Sequence, residues 1–501
     1  MNDAATGLAG AATRGVFWSA AGGALSKLVA AAGMLALARL LAREELGVAA
    51  YALTFASLFD VLRGFGTGQA LIYFPSDERR TQTAFWIALA NGLLLGALAL
   101  ALAPAVALFY RDPRAADVVR TMALYFPLLA LGQVLDVQLR KDLRFGRRVG
   151  SELARSVART AFAIGLAFAG FGYWSVIVSY LAGAAAWSAA LWVLVPWRPR
   201  FVFDRAEAAR LLGYGKHLVA VSVLVVIGMQ ADHLAVGRFF GPEALGVYAI
   251  AFAVPALFLQ ACAGLSQVLF PAYARLDGDP ERLRSAALRT LRLAAALFVP
   301  AGVGLALVAE PLILGVFGRE WRDAVPVLRW MCAWVVTTSL TYHLGDVYKA
   351  IGEARILAWL AAGTTVLLVP GMVWAGVRGG GLVAVVAVLI AVRMVRLALD
   401  LAVARKLIGL RPADALRNVW PALASAAAMA AVVLGVDRWV AGMPALPRLV
   451  LLVAAGAGAH LATLAAVDRG LYREIRDLAR AALGSGPSAA DGARSHRSSK
   501  T

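Results

Sequence analysis

Fourteen apolar runs, each about as long as a bilayer is thick, succeed one another along the chain: 15–40, 46–72, 83–109, 117–138, 150–170, 173–197, 213–240, 243–271, 286–309, 324–350, 354–376, 380–404, 419–436 and 445–467. A helix needs roughly 20 apolar residues to cross the hydrocarbon core. Inside that core the backbone must satisfy its own hydrogen bonds, which leaves helices or closed barrels. Runs of this length fit helices. The charged residues make up only 16% of the 501 and cluster between the runs, where a soluble chain would carry about a quarter. The expected fold class is therefore an all-α polytopic membrane protein with about 14 transmembrane helices.

The loops test this reading. The net charge is +19, and in a soluble protein that excess would point to nucleic acid. Here basic loops facing an anionic inner leaflet account for it. Loops expected on the side of the N-terminus carry 21 Lys and Arg, among them Arg79, Arg80, Arg140, Lys141, Arg147 and Arg148; the opposite loops carry 8. The alternation survives every run, which places both termini in the cytoplasm. Basic patches interleaved with aromatics are absent outside the runs, so no nucleic-acid partner is expected.

The chain also repeats itself. "ARLLAREELGVAAYAL" (38–53) matches "GRFFGPEALGVYAIAF" (237–252), with Arg39, Glu44, Leu46, Gly47 and Val48 recurring as Arg238, Glu243, Leu245, Gly246 and Val247. An even number of runs separates the copies, so they cross the membrane in the same sense, as parallel repeats do. The expected organisation is a first six-helix bundle (1–197), a cytoplasmic linker (198–212), a second six-helix bundle (213–410), two extra spans (411–468), and a cytoplasmic amphipathic helix with a disordered tail (469–501).

Catalytic signatures are missing. There is no phosphate-binding G-x-x-x-x-G-K, no H-E-x-x-H and no G-x-S-x-G. The five histidines have no metal spacing, and Cys262 and Cys332 form no metal pair or disulfide framework. No catalytic residue, metal or resident cofactor is expected. What remains is charge at membrane depth, which costs ~2.5–3.5 kcal/mol per residue at a helix centre. Lys27, inside "GGALSKLVAAAGMLALARLL" (22–41), lies too far from Arg14 to reach the inner surface easily. Asp60 and Arg63 can neutralise each other; Arg155 and Arg159 share a helical face; Asp232, His233 and Arg393 lie deep in their runs. Lys27, Arg63, Arg155, Arg159 and Arg393 are expected to line a hydrated cavity between the bundles, and Asp60, Asp232 and His233 are candidates for ion coupling. A cationic cavity suits an anionic, phosphate-bearing solute.

Eight phrases, in order, now resemble one family: "FWIALANGLLLG" (85–96), "LRKDLRFG" (139–146), "GFGYWSVIV" (170–178), "WRPRFVF" (197–203), "QADHLAVGRFFGPEALGVYAIAF" (230–252), "VLFPAYARL" (268–276), "AEPLILGVFGREW" (309–321) and "GDVYKAIGEARI" (345–356). They look like the Wzx-type polysaccharide flippases, in particular the WzxC-like branch of the MOP superfamily. The resemblance implies two pseudo-symmetric six-helix bundles working by alternating access. It implies a bacterial inner-membrane transporter that moves undecaprenyl-diphosphate-linked oligosaccharide for surface polysaccharide (exopolysaccharide, capsule or O-antigen). Proton or sodium coupling, membrane lipids, a polysaccharide polymerase and a chain-length regulator come with it as implied energy source and partners. Asp232 falls where the family carries an acidic residue in its seventh span, but His233 stands where the family usually has Asn. Three alternatives stay open. A lipid II-type flippase shares the anionic lipid-linked cargo. A MATE-like multidrug or cation antiporter would want a net acidic cavity. A membrane polymerase or glycosyltransferase would need a catalytic loop.

Overall fold

The computed structural model describes residues 23, 25–63, 67–75, 77–142, 144–276 and 279–482. The first residues of the opening run and the tail expected to be disordered lie outside them, apart from the helix that precedes the tail. The described residues are helical and loop, with no strand among them. Contacts divide the chain into two units. Unit 1 is Met1–Val254, Val316–Val327 and Arg355–Val392; unit 2 is Pro255–Gly315, Leu328–Ala354 and Arg393–Thr501.

Unit 1 begins with α1 (25–40) and α2 (Arg43–Asp60). The expected span 46–72 is not one helix: α2 stops at Asp60, a turn follows, and a short α3 (Thr67–Tyr73) resumes. The side-chain amide of Asn91 donates to the carbonyls of Leu62 and Arg63, at 2.9 and 2.6 Å, satisfying the chain where the helix ends. Next come α4 (Glu78–Tyr110), whose N-cap Asp77 accepts from the Arg79 N–H at 2.9 Å, then α5 (Arg114–Met122) and α6 (Tyr125–Lys141). α7 (Phe145–Phe168) and α8 (Trp174–Leu194) close the set. α4 explains the packing. Its small residues Ala84, Ala88, Gly92, Gly96, Ala99 and Ala103 are buried, while Leu93, Leu94, Leu100 and Leu108 are exposed. Lipid solvates leucine as well as protein does, so helices meet along their small residues, where close approach is possible.

The linker is docked on α4. Arg80 Nε meets Glu207 Oε2 at 2.6 Å, and Trp86 stacks on Phe201 with ring centroids 4.7 Å apart. The Arg80 guanidinium holds the Glu207 carboxyl below the usual carboxylate range. α9 (Arg205–Ala274) is two helical arms joined at Gly241, which takes φ 84°. Only glycine enters that region without strain, and Pro242 then starts the second arm, where its missing N–H costs nothing. α9 leaves unit 1 at Val254.

Unit 2 holds the rest of α9, then α10 (Pro280–Leu307), the short α11 (Ala309–Leu312), most of α12 (Ala324–Thr341) and α13 (Leu344–Ala350). The expected span 324–350 is found as one stretch, Ala324–Ala350, long and apolar enough to cross a membrane, with a turn at Tyr342–His343 between its two helices. Between them in sequence, α14 (Ala354–Val377) and the first part of α15 (Gly381–Ile408) belong to unit 1, apart from the first residue of α14. α16 (Pro412–Val440) and α17 (Ala445–Val467) complete unit 2, with Ala295 and Val299 of α10 packed against Ala422 and Ala426 of α16. α18 (Arg469–Ala482) follows, and its Leu471 is buried with Ala296 and Leu464.

Ten helices are long and apolar enough to span a membrane among the described residues. One of them, Val225–Ala274, carries parts of two expected runs. The count of fourteen is not reached on this measure, because α1 is short and α2 and α7 carry several charges. The chain is a multi-pass membrane protein.

Candidate functional site

α7 places Arg155 and Arg159 one helical turn apart, so both point to one side. Their partners are neutral. Arg155 donates to the Tyr125 hydroxyl at 3.1 Å. Arg159 lies over the Tyr180 ring, 3.6 Å from its centroid, and donates to its hydroxyl. The two tyrosine rings meet edge to face at 6.3 Å. Among the described residues neither arginine has a carboxylate at ion-pair distance. Asp60 and Arg63 are the remaining charged pair predicted for this unit. They form an ion pair of 3.3 Å at the end of α2.

Lys27 is exposed on α1. That helix docks on α7 through the Thr160 hydroxyl, which donates to the Val29 carbonyl at 3.3 Å. Four of the five expected cavity cations therefore sit on elements of unit 1, and two of the helices that carry them touch directly.

The two repeat copies meet inside unit 1. A Cβ added to Gly47 would fall 1.7 Å from the Pro242 carbonyl oxygen, and one added to Gly246 would fall 2.1 Å from that of Arg43. Arg43 and Pro242 are themselves equivalent in the repeat, as are Gly47 and Gly246. The contact is reciprocal, as at a two-fold axis. The segment Val316–Val327 fastens it: the fully buried Trp321 donates from Nε1 to the Ala38 carbonyl at 2.8 Å, Arg39 donates to the Val316 carbonyl at 3.0 Å, and Arg43 pairs with Asp323 at 2.6 Å.

Asp232 and His233 are also in unit 1. Asp232 is 5% exposed. One of its oxygens is 2.9 Å from His233 Nδ1, and the other accepts from the Tyr248 hydroxyl at 2.6 Å. The rings of Tyr248 and Phe252 stand edge-on to the imidazole at 5.2 and 5.3 Å. This carboxylate is enclosed by its own partners.

Arg393 is in unit 2. It donates to the Thr337 carbonyl at 3.1 Å and to the Thr341 hydroxyl, and lies 3.7 Å from Asp400. Arg396 pairs with the same carboxylate at 3.0 Å. The expectation of a free cavity cation at Arg393 meets a guanidinium whose terminal nitrogens face protein acceptors, while its buried Nε has no hydrogen-bond partner among the described residues.

Sequence reasoning missed the tyrosines of the arginine cluster, and it missed Asn91. A hydroxyl or amide in the middle of an apolar run is a usable signal, but it names no partner. No group of three or more His, Cys, Asp or Glu among the described residues could hold a metal.

A family model described as "Polysaccharide biosynthesis protein" matches residues 36–326. The teichuronic acid biosynthesis protein TuaB of Bacillus subtilis (strain 168) is 26% identical over 410 residues, covering 80% of this chain and 84% of its own. The lipopolysaccharide biosynthesis protein WzxC of Escherichia coli (strain K12) is 25% identical over 378 residues, covering 74% and 76%. Among solved structures, the lipid II flippase MurJ in an inward closed conformation shares the fold, with a TM-score of 0.74 and 13% identity over 90% of this chain and 99% of that one.

Proposed function

Because the chain belongs to the polysaccharide biosynthesis protein family, we propose that it flips undecaprenyl-diphosphate-linked oligosaccharide across the bacterial inner membrane, from the cytoplasmic to the periplasmic leaflet. It is a transporter rather than an enzyme, and it supplies surface polysaccharide synthesis. A polysaccharide polymerase and a chain-length regulator then act on its product, and both of its termini are cytoplasmic.

The physics requires such a protein. A sugar hydroxyl taken into hydrocarbon without a partner costs several kcal/mol, and an oligosaccharide has many. The head group needs a polar path, while the polyprenyl tail can remain in lipid. The observation that carries the reading is the pair Arg155 and Arg159, held by hydroxyls and not by carboxylates. A guanidinium with a neutral partner keeps its charge for a phosphate, which it binds through paired N–H donors. Lys27 and Arg63 add to the same side of the balance, with Asp60 as local counter-charge. Two repeated bundles with a two-fold contact at Gly47 and Gly246 suit alternating access, in which one end closes as the other opens. Arg393 belongs to the proposed path as a residue that gives up Thr341 for substrate. Asp232 and His233 remain candidates for ion coupling.

A second reading has one supporting observation, the fold shared with MurJ, a protein named for flipping lipid II. One experiment separates the two. The gene is deleted and the lipid-linked sugars that accumulate are identified by mass spectrometry. Accumulated oligosaccharide on undecaprenyl diphosphate, with loss of surface polysaccharide, supports the first reading. Accumulated peptide-bearing lipid II supports the second, and unchanged lipids with normal polysaccharide defeat both. In the complemented strain, Lys27→Ala is expected to abolish export at unchanged protein level; normal polysaccharide output would remove Lys27 from the path.

A further inference from the structure

Unit 2 contains a buried polar group that the substrate path does not use. His343 sits in the break between α12 and α13, where it precedes the first residue of α13. It is 4% exposed, and among the described residues neither ring nitrogen has a hydrogen-bond partner. The backbones of Ala287 and Leu340 lie next to the ring. A buried polar atom left unpaired costs about 1–3 kcal/mol, so it calls for an explanation. Discontinuous helices in transporters recur at ion sites, since the break frees polar groups for a ligand.

Two observations identify the ligand. First, a cavity of about 20 Å³ adjoins the ring, lined among others by Ser266, Thr290, Ser339 and Tyr342. A single water needs ~10–15 Å³ and two to four polar partners; this cavity has the volume, and in a mostly apolar lining its polar groups are the ring and those hydroxyls. Second, Asp346 lies one turn on from His343 and is 1% exposed. Its carboxylate accepts from the Ser266 hydroxyl and from Lys349 Nζ, the latter at 3.0 Å. The Lys349 ammonium is half exposed. The other titratable groups around the ring are Tyr342 on the same break, Cys262 of α9 across the cavity, and Tyr273, whose hydroxyl is held by Thr290 of α10 at 2.7 Å.

We infer that His343 is a proton-loading site: its free ring nitrogen takes a proton passed through one water in this cavity, and Asp346 is the fixed counter-charge. The proton adds to the nitrogen lone pair, the water that delivers it is re-protonated from bulk, and no other bond changes. The imidazolium then competes with Lys349 for Asp346, which loosens the tie at the helix break. The use of the site in transport rests on the flippase reading; its protonation does not.

The test keeps those two apart. The full-length protein, with ring-labelled histidine, is studied in lipid nanodiscs by NMR, and His343→Gln assigns the signal. A His343 signal that titrates anywhere between about pH 3 and 8 supports the site; one that stays fixed over that range overturns it. In proteoliposomes carrying a fluorescent lipid-linked oligosaccharide, an imposed pH gradient is expected to speed flipping by the wild type and by His460→Gln. His343→Gln should lose about tenfold of that response while remaining folded by its NMR spectrum. Retention of the full response by His343→Gln overturns the coupling. A wild type that moves no lipid under any gradient defeats the flippase reading, and the titration still decides the proton site.

Discussion

The arginines of α7 and those of α15 are the same chemical group at similar depth in an apolar run, yet they are held in opposite ways. Arg155 and Arg159 face Tyr125 and Tyr180. Arg393 and Arg396 face Asp400, which is 3% exposed. Charge at membrane depth is thus read by its partner and not by its presence. A hydroxyl leaves the positive charge available. A buried carboxylate shared by two guanidiniums offsets part of it and ties two turns of helix together.

Removing each pair should therefore break a different property. The largest effect is expected from Arg393→Ala with Arg396→Ala, which strands Asp400 in the interior. Breaking a buried pair costs about 3–5 kcal/mol, so the double variant should fail to accumulate, as seen by membrane immunoblot and thermal aggregation in detergent. Adding Asp400→Asn should recover most of the protein; if it does not, Asp400 is not the partner that matters. Next in size, Arg155→Gln with Arg159→Gln should leave protein level and melting nearly unchanged. Each charged hydrogen bond is worth about 1.5–3 kcal/mol, so affinity for a lipid diphosphate should fall at least about a hundredfold. Normal affinity would show that the α7 arginines are structural, like those of α15.

The smallest effect sharpens the comparison at the surface. Arg292 Nε lies 3.1 Å from Asp468, just past the end of α17. Burial pushes the Asp468 carboxyl up, but the Arg292 bond and backbone N–H bonds from Leu471 and Gly470 outweigh it and hold it below the usual carboxylate range. A lowered carboxylate stabilises the fold above its unfolded value of about 3.9 and loses that contribution as pH falls through the folded value. Arg292→Ala should therefore melt lower near neutral pH, by about 1 kcal/mol or less, and match the wild type in strong acid. A difference that persists in acid would place the effect in packing.

The same contrast runs through the two buried histidines. His233 has Asp232 at 2.9 Å, while Asp346, near His343, is already engaged by Ser266 and Lys349. Adjacency in sequence revealed the first pair. The second site depends on a helix break that hydropathy passes over, because Tyr342 and His343 sit in an otherwise apolar run.

The sequence alone determined that the chain is helical and crosses a membrane many times, and it revealed the repeat that makes Gly47 equivalent to Gly246. These are properties of local composition and period, set by the cost of an unsatisfied backbone in lipid. It could not say that span 46–72 breaks, that a turn divides span 324–350 into two helices, that Gly47 touches Pro242, or which residue holds each arginine. Lipid solvates every apolar face equally well, so hydropathy does not tell which face meets another helix. Only tertiary structure brings Tyr180 to Arg159 and Asp400 to Arg393, and the charge left over for a substrate follows from those pairings.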